Sequence, residues 1–222
     1  MSIVKKGIFT IPLYHGTTSL FVDSIMQHGL GGLDPLLKYK AKEFMNELYV
    51  LAEKQKWEDE KWIEFRALLQ PTMFQKNLEN VLSFKHGEAY VTPNLELATK
   101  YAKENPFGCE YLTCLRRFVA FLVSRDLKGF NEICKDQPVF NAWEVPNDPY
   151  LITLNNVEIQ NMAPEADQNL AVHIDEIDKH LAVGVHGPHS FKLKKPIAVD
   201  DLIVKRLGIW DAQAQNLTED KE

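Results

Sequence analysis

The sequence predicts an α+β domain whose short strands are interrupted by a helical insertion. Short β-branched and aromatic segments bounded by Gly or Pro occur near the start of the chain and in its later part. Between them, apolar residues recur at helical spacing over residues 36–82. Because 222 residues with 45% apolar content suffice for one core, we expect a single domain at 1–210, with the insertion at 36–82 and a polar tail at 211–222.

The chain begins with a predicted strand and a helix with clear ends. Residues 8–15 are β-branched and aromatic, which favours a strand that carries His15 at its end. Thr18 or Ser19 can cap the following helix, and Gly29 marks where it ends.

The insertion is predicted to be helical throughout. Its apolar residues step by three and four, and Pro71 is expected to end the run. Thr72 and Gln75 have the spacing of a capping box, which predicts a third helix. We expect the insertion to shape access to a target or to bind a neutralising partner protein.

A strand followed by a helix is predicted after the insertion. Residues 86–92 are predicted to form a strand, because the apolar residues 89–91 are bounded by Gly87 and Pro93. Asn94 is expected to cap a short helix, which Asn105 and the proline after it end. Tyr90 on the strand and the tyrosine at position 101 on the helix can then approach the same pocket.

Four later segments complete the predicted fold. Residues 111–127 fit a helix or a strand by periodicity, and their length favours a helix. Residues 150–159, 191–193 and 203–204 are predicted strands.

Composition limits the compartment and the partners. A net charge of −6 argues against a broad basic face, so nucleic acid is not the default partner. Cys109, Cys114 and Cys134 form neither a disulfide framework nor a C-x-x-C pair, which favours a reducing compartment. No signal peptide and no run of roughly 18 apolar residues is present. We therefore expect a soluble, cytoplasmic protein without membrane association.

The most informative pattern is Tyr14-His15-Gly16-Thr17 followed by two tyrosines, one of them Tyr90 and the other eleven residues later. A flat, cationic ring that bears an amide is held well between aromatic faces, with backbone groups close enough to bond the amide. The pattern therefore predicts a pocket for the nicotinamide half of NAD.

Three segments resemble a known family: residues 13–17, 89–92 and 98–101 are similar in order and spacing to the ADP-ribosyltransferase superfamily of the poly(ADP-ribose) polymerase and diphtheria-toxin type. The resemblance implies a split antiparallel β-sheet core, NAD as co-substrate, and mono-ADP-ribosyl transfer to a protein or nucleic acid with release of nicotinamide. Family habits also suggest a bacterial toxin or defence effector. The helical insertion lies outside the resemblance.

The resemblance implies a role for each matching residue. His15 is expected to donate a hydrogen bond to the adenosine ribose, and the Gly16 backbone to bond the nicotinamide carboxamide. Thr17 is expected to bind ribose or support the turn. Tyr90 and Tyr101 are expected to hold the nicotinamide ring between them.

The family's catalytic glutamate is not matched. Its position falls at His189, or at Ser190 if the register shifts by one residue. Glu88, which alternates with Tyr90 along one predicted strand, is a candidate for the missing carboxylate. Ala98 replaces a serine that often binds the carboxamide in polymerase-like members. Chain elongation is therefore not expected.

Three other functions concern the same residues. The first is a non-catalytic module of the same fold that binds NAD or ADP-ribose or acts in protein interaction. The second is an RNA 2′-phosphotransferase relative, which the paired tyrosines disfavour because phosphate needs cations. The third is a metal site, for which His186 and His189 with His173 or His180 lack a recognised ligand spacing, so no metal is expected.

Overall fold

The computed structural model describes residues 2–33, 35–74, 89–105, 107–164 and 168–208, and it shows a mixed helix and strand fold that confirms the predicted α+β class. The strands are β1 (Val4–Lys5), β2 (Ile8–Phe9), β3 (Leu13–Thr18), β4 (Tyr90–Val91), β5 (Pro149–Leu154), β6 (Met162–Pro164), β7 (Phe191–Leu193) and β8 (Leu202–Arg206). The helices are α1 (Ser19–His28), α2 (Pro35–Lys38), α3 (Ala41–Glu53), α4 (Glu60–Phe74), α5 (Leu95–Glu104), α6 (Glu110–Val123), α7 (Phe130–Cys134), α8 (Val139–Glu144) and α9 (Leu170–Ala182).

The described strands form small antiparallel sheets. Strands β1 and β2 make a hairpin, β3, β5 and β8 make one three-stranded sheet in the order β3-β5-β8, and the other sheet has the order β4-β7-β6. An isolated antiparallel bridge between Tyr14 of β3 and Thr92, next to β4, connects the two three-stranded sheets. Strand β3, which carries Tyr14, His15 and Gly16, and strand β4, which carries Tyr90, are therefore neighbours.

The predicted strand over residues 8–15 is wrong in its extent. Strand β2 ends at Phe9, and β3 begins only at Leu13, so His15 is the third residue of a strand and not its end. The reason is the hairpin, because Thr10 N donates to Ile3 O over 2.8 Å and closes it before the chain enters β3.

Local signals predicted several helices correctly. Helix α1 has Thr18 at its N-cap position and Gly29 after its last residue, as expected, but the Thr18 side chain makes no cap hydrogen bond. Helix α5 begins after Asn94, whose side chain accepts a hydrogen bond from Leu97 N over 3.0 Å. The ambiguous segment after residue 110 is helix α6, as its length suggested.

The predicted helix end at Pro71 is wrong, because α4 continues to Phe74. Thr72, the expected cap of a third helix, lies within α4, and the rest of that third helix falls outside the described residues. A proline inside a helix removes a backbone donor and costs about 3 kcal/mol. Buried Trp62 and Leu69 anchor α4 in the core, and such packing supplies most of the stability of a helix in a protein.

The described part of the insertion belongs to the core. The Trp62 ring of α4 stacks on Phe118 at 6.2 Å and on Phe121 at 6.5 Å, and Phe65 lies 5.0 Å from Phe121. Helix α3 also packs against α6 and α7. The aromatic side chains of the insertion thus hold a helical layer together, as expected for core residues.

Strand predictions in the second half were correct in place but not always in length. The strand predicted over 150–159 is β5, which ends at Leu154, whereas β7 agrees with its prediction and β8 extends the predicted pair of residues.

The three cysteines are free thiols, and burial raises the pKa of Cys114 and Cys134 to about 11. In the described part of the chain, every helix is too short or too polar to cross a bilayer.

Candidate functional site

The two three-stranded sheets meet at one residue pair and then part. Tyr14 N donates to Thr92 O over 2.8 Å, and Thr92 N donates to Tyr14 O over 2.9 Å. A ladder continued from this pair would put Gly16 opposite Tyr90, but the described strands show only the single bridge. Instead, His15 Nδ1 donates to Tyr90 O over 2.7 Å. We call the opening bordered by His15, Gly16 and Tyr90 the strand gap.

The backbone of Gly16 is directed into the strand gap. Backbone groups of successive strand residues point to opposite edges of the strand. Ser19 N donates to Asp148 O over 2.8 Å, which extends the β3–β5 ladder by one pair. Residues 13, 15 and 17 therefore bond to β5. The N–H and C=O of Gly16 point to the other edge, where the sheets part.

Gly16 and Tyr90 lie on the same face of the sheets. Tyr14 and Thr92 are bridge partners, so their side chains project to one face. Side chains two residues apart in a strand project to the same face. Gly16 follows Tyr14 by two residues and Tyr90 precedes Thr92 by two, so the Tyr90 ring lies on the face to which a side chain at position 16 would project. The gap therefore opens beside the Tyr90 ring.

Helix α5 covers this face and brings the second tyrosine to it. A Cβ added to Gly16 would lie 2.1 Å from Ala98 O and 2.9 Å from Ala102 N, both in α5. Tyr101 is half-buried in the same helix, one residue before Ala102. The structure thus places Gly16, Tyr90 and Tyr101 on one side of the sheets. It also gives Gly16 a packing role that the sequence did not indicate.

His15 is a neutral hydrogen-bond acceptor in this geometry. A carbonyl oxygen only accepts, so His15 Nδ1 must carry the proton that bonds Tyr90 O. Burial lowers the pKa of His15, and the bond to the carbonyl only partly opposes this. Nε2 of the neutral ring therefore carries a lone pair. In this form Nε2 can accept a hydrogen bond but cannot donate one, and contact with a ribose hydroxyl stays a prediction.

Thr17 does not share the face of Gly16. It is 3% exposed and pairs with Tyr150 in the middle of the β3–β5 ladder. Side chains of adjacent strand residues point to opposite faces, so Thr17 points away from α5. Its position suits support of the strand. The His15 side chain leaves β3 on the same face as Thr17, but its ring reaches Tyr90 O at the edge of β4 and so borders the strand gap.

The ring of His189 is not on the face of Tyr90. Phe191 is buried and lies 5.0 Å from the His173 ring, and His189, two residues earlier, lies 5.4 Å from the same ring. Tyr90 pairs with Lys192, so its side chain is on the opposite face from Phe191. The structure therefore does not bring His189 together with Tyr90.

Ser190 and Lys192 are the β7-side residues that share the face of Tyr90. Leu193 N donates to Ala89 O over 2.9 Å, which makes Tyr90 and Lys192 a non-hydrogen-bonded pair with closely spaced side chains. Side chains alternate between the two faces, so Ser190, two residues before Lys192 and just before the start of β7, is on this face as well. Of the two positions expected for the catalytic glutamate, Ser190 is the one that faces Tyr90.

Lys192 was missed by the sequence reasoning. The signal was present, because Phe191 and Leu193 are apolar while Ser190 and Lys192 are polar at a period of two. What could not be seen was that Lys192 pairs with Tyr90, since their strands are far apart in the chain.

Three histidines, which the sequence suggested only as loose metal ligands, join the 189–190 segment to helix α9. His180 Nδ1 and His189 Nε2 are 2.6 Å apart, and His173 Nε2 donates to Ser190 O over 3.1 Å. Thr92 Oγ1 donates to His189 O over 2.6 Å and ties the segment to the end of β4. These contacts hold Ser190 in place beside the sheet.

The environment of His189 disfavours its charged form. Burial lowers its pKa, and so do the neighbouring rings of His173 and His180, while Glu176 acts in the opposite direction. Neutral imidazoles can share a hydrogen bond, whereas two charged rings would repel each other. The histidine cluster is thus suited to a structural role at neutral pH.

Glu88 lies outside the described residues, so its position relative to Tyr90 stays a prediction. Among the residues that the structure does describe, no group of three or more His, Cys, Asp or Glu side chains could hold a metal ion.

Comparisons with protein-family models, curated proteins and solved structures found no match to this chain. Its function is therefore inferred from the site itself.

Proposed function

We propose that the strand gap is an NAD site and that this chain is a mono-ADP-ribosyltransferase with an ADP-ribosyltransferase-like split sheet. It transfers ADP-ribose from NAD to a macromolecular target, a protein or a nucleic acid, with release of nicotinamide. The observation that supports this most is the backbone of Gly16, which points into a gap bordered by His15 and Tyr90.

The proposed site matches the chemistry of NAD group by group. The nicotinamide carboxamide is both a donor and an acceptor, and the C=O and N–H of Gly16 complement it. Tyr90 and Tyr101 supply aromatic faces on that side of the sheets. His15 Nε2 accepts a hydrogen bond from a ribose hydroxyl of the adenosine half. These contacts hold the bond between nicotinamide and ribose in a fixed place.

The reaction needs stabilisation of positive charge on the ribose as nicotinamide leaves. A carboxylate does this most effectively, as in glycosidases. Ser190 offers only a neutral hydroxyl on the face of Tyr90. Glu88 remains the proposed carboxylate, since it precedes Tyr90 by two residues in the sequence. With one weak or distant anion, single transfer is expected to be slow and chain elongation absent.

A second candidate function follows from Lys192. This residue pairs with Tyr90, so the charge next to Tyr90 among the described strand residues is positive, whereas transfer needs an anion near the ribose. Such a charge favours a non-catalytic module that binds NAD or ADP-ribose. Binding without release of nicotinamide is the property that separates this candidate from the transferase.

Family habits support a toxin or defence effector, and a protein of that kind would need a neutralising partner. We propose the exposed side of the helical insertion as the surface for that partner or for the target. Leu37 of α2 and Ile63 of α4 are 59% and 56% exposed, whereas the opposite side of the insertion is core. Changing both residues to Asp should weaken target labelling or partner binding without unfolding the chain. Unchanged labelling and binding would dismiss this surface.

The function is tested with NAD labelled in its ADP-ribose part, incubated with the purified chain and cell extract. Labelled macromolecules and free nicotinamide are measured, and nuclease and protease treatment then identify the acceptor. His15→Ala and Tyr90→Ala should abolish both products, and Tyr90→Phe should retain most activity because it keeps the ring. His28→Ala is the control for His15, since His28 is exposed at the end of α1.

Two outcomes would change the assignment. Transfer that survives both His15→Ala and Tyr90→Ala would refute the proposed site. Saturable NAD binding that depends on both residues, with no nicotinamide released, would select the non-catalytic candidate.

A further inference from the structure

Lys192 is a charged residue on the Tyr90 face of the β4-β7-β6 sheet, within the described strands. The cross-strand row that contains it consists of Tyr90, Lys192 and Ala163, as the register of the three strands shows. The neighbouring row on the opposite face consists of Val91, Phe191 and Pro164. The row with Tyr90 is on the side of the proposed site, and within these three described residues Lys192 is the charged one.

The pairing geometry keeps Lys192 close to Tyr90. In a non-hydrogen-bonded antiparallel pair the Cβ atoms are about 4.5–5.5 Å apart. Lys192 is half-buried, as is common for a lysine whose aliphatic stem is covered by protein. A lysine head on a flexible stem can therefore serve a ligand that extends past the Tyr90 ring.

The charge of Lys192 selects which part of a dinucleotide it binds. An ammonium group repels the cationic nicotinamide ring and attracts phosphate oxygens, which it bonds as a point charge. We propose that Lys192 binds the diphosphate that NAD and ADP-ribose share, and so orients either ligand in the strand gap. This inference rests on the proposed NAD site but not on transfer. Lys192 is then a residue that sets ligand specificity.

The experiment compares ligands with and without the diphosphate. Wild type, Lys192→Gln, Lys192→Arg and Lys195→Gln are titrated by calorimetry with ADP-ribose and adenosine at low and high salt. Gln keeps much of the length and polarity of lysine without its charge. Lys195 is exposed beyond the end of β7, so its Gln variant controls for a general loss of surface charge.

Lys192→Gln should weaken ADP-ribose binding by about tenfold, reduce its dependence on salt, and leave adenosine binding unchanged. Lys192→Arg should restore most of the affinity, and Lys195→Gln should have no effect. Equal weakening of adenosine and ADP-ribose would overturn the proposal, because it would mean that only the stem matters. Unchanged ADP-ribose binding would overturn it as well.

The same titrations separate this inference from the proposed function. If ADP-ribose binding depends on Lys192 but the chain releases no nicotinamide, the proposed transferase activity is refuted and the diphosphate site is supported. Nicotinamide release that Lys192→Gln leaves intact, with ADP-ribose affinity also unchanged, would remove only the role of Lys192. A wild-type chain that binds neither NAD nor ADP-ribose would remove both.

Discussion

Replacing Gly16 with Ala tests the packing that creates the strand gap. The added Cβ would lie 2.1 Å from Ala98 O and 2.9 Å from Ala102 N. Both atoms belong to the backbone of α5, so no side-chain rotation can relieve the contact. Since carbon atoms pack best at about 3.5–4.0 Å, α5 must move outward by more than about 1 Å. Ala98 and Ala102, which are 3% and 2% exposed, would lose their close fit against β3.

The expected loss of stability is large for a single methyl group. Overpacking in a core typically costs about 1–3 kcal/mol, and a clash with helix backbone belongs at the upper end of that range or beyond it. A loss of about 3 kcal/mol corresponds to a fall in Tm of roughly 6–12 °C for a chain of this size. Urea unfolding followed by circular dichroism measures the free energy, and calorimetry measures Tm.

Gly208→Ala is the matched control, because no atom lies within 4 Å of a Cβ added there. Its free energy of unfolding should be unchanged within a few tenths of a kcal/mol. A loss below about 0.5 kcal/mol for Gly16→Ala would refute the close approach of α5 to β3, which puts Tyr101 on this side of the sheets.

Lowering the pH below about 6.5 should decrease the free energy of unfolding, because burial lowers the pKa of both His15 and His189. The unfolded chain then binds more protons than the folded chain, so stability is full above that pH and falls below it. Urea titrations across this range measure the effect, and a flat profile would contradict it. Trp62→Ala should cost about 3–5 kcal/mol by the same assay, since Trp62 is 2% exposed among aromatic rings; a loss under about 1 kcal/mol would argue against that packing. Asn94→Ala should cost about 1 kcal/mol through the lost N-cap of α5, while Asn94→Ser should retain most of the stability, and equal losses would show that the cap is not the cause.

Much of the helical structure was predictable because its signals are local. Asn94 caps α5 through a residue only three positions away, and Gly29, directly after the last residue of α1, is an equally local signal. The helix end predicted at Pro71 was wrong because the decisive interactions are not local. Its local penalty is real, but the burial of Trp62 in the core depends on distant residues that a local rule does not include.

Some of the site was predictable in the same manner. The order of Tyr14, His15 and Gly16, with Tyr90 on a following strand, predicted that these residues lie close together, and the bond from His15 to Tyr90 O agrees. The proton on His15 Nδ1 was not predictable, because its acceptor is a carbonyl 75 residues away. Burial lowers the pKa of the ring, and the bond to Tyr90 O fixes the proton of the neutral ring on Nδ1, so that Nε2 is left as an acceptor. Both are tertiary properties.

The sequence by itself determined the residue types, the periods and the caps, and these set the α+β class and the candidate residues. Only the tertiary structure decided where the sheets part and which side chains face the gap. A shift of one residue in strand register exchanges the two faces, so the choice between His189 and Ser190 depended on the pairing of β4 with β7. That pairing joins segments about a hundred residues apart, and no local pattern contains it.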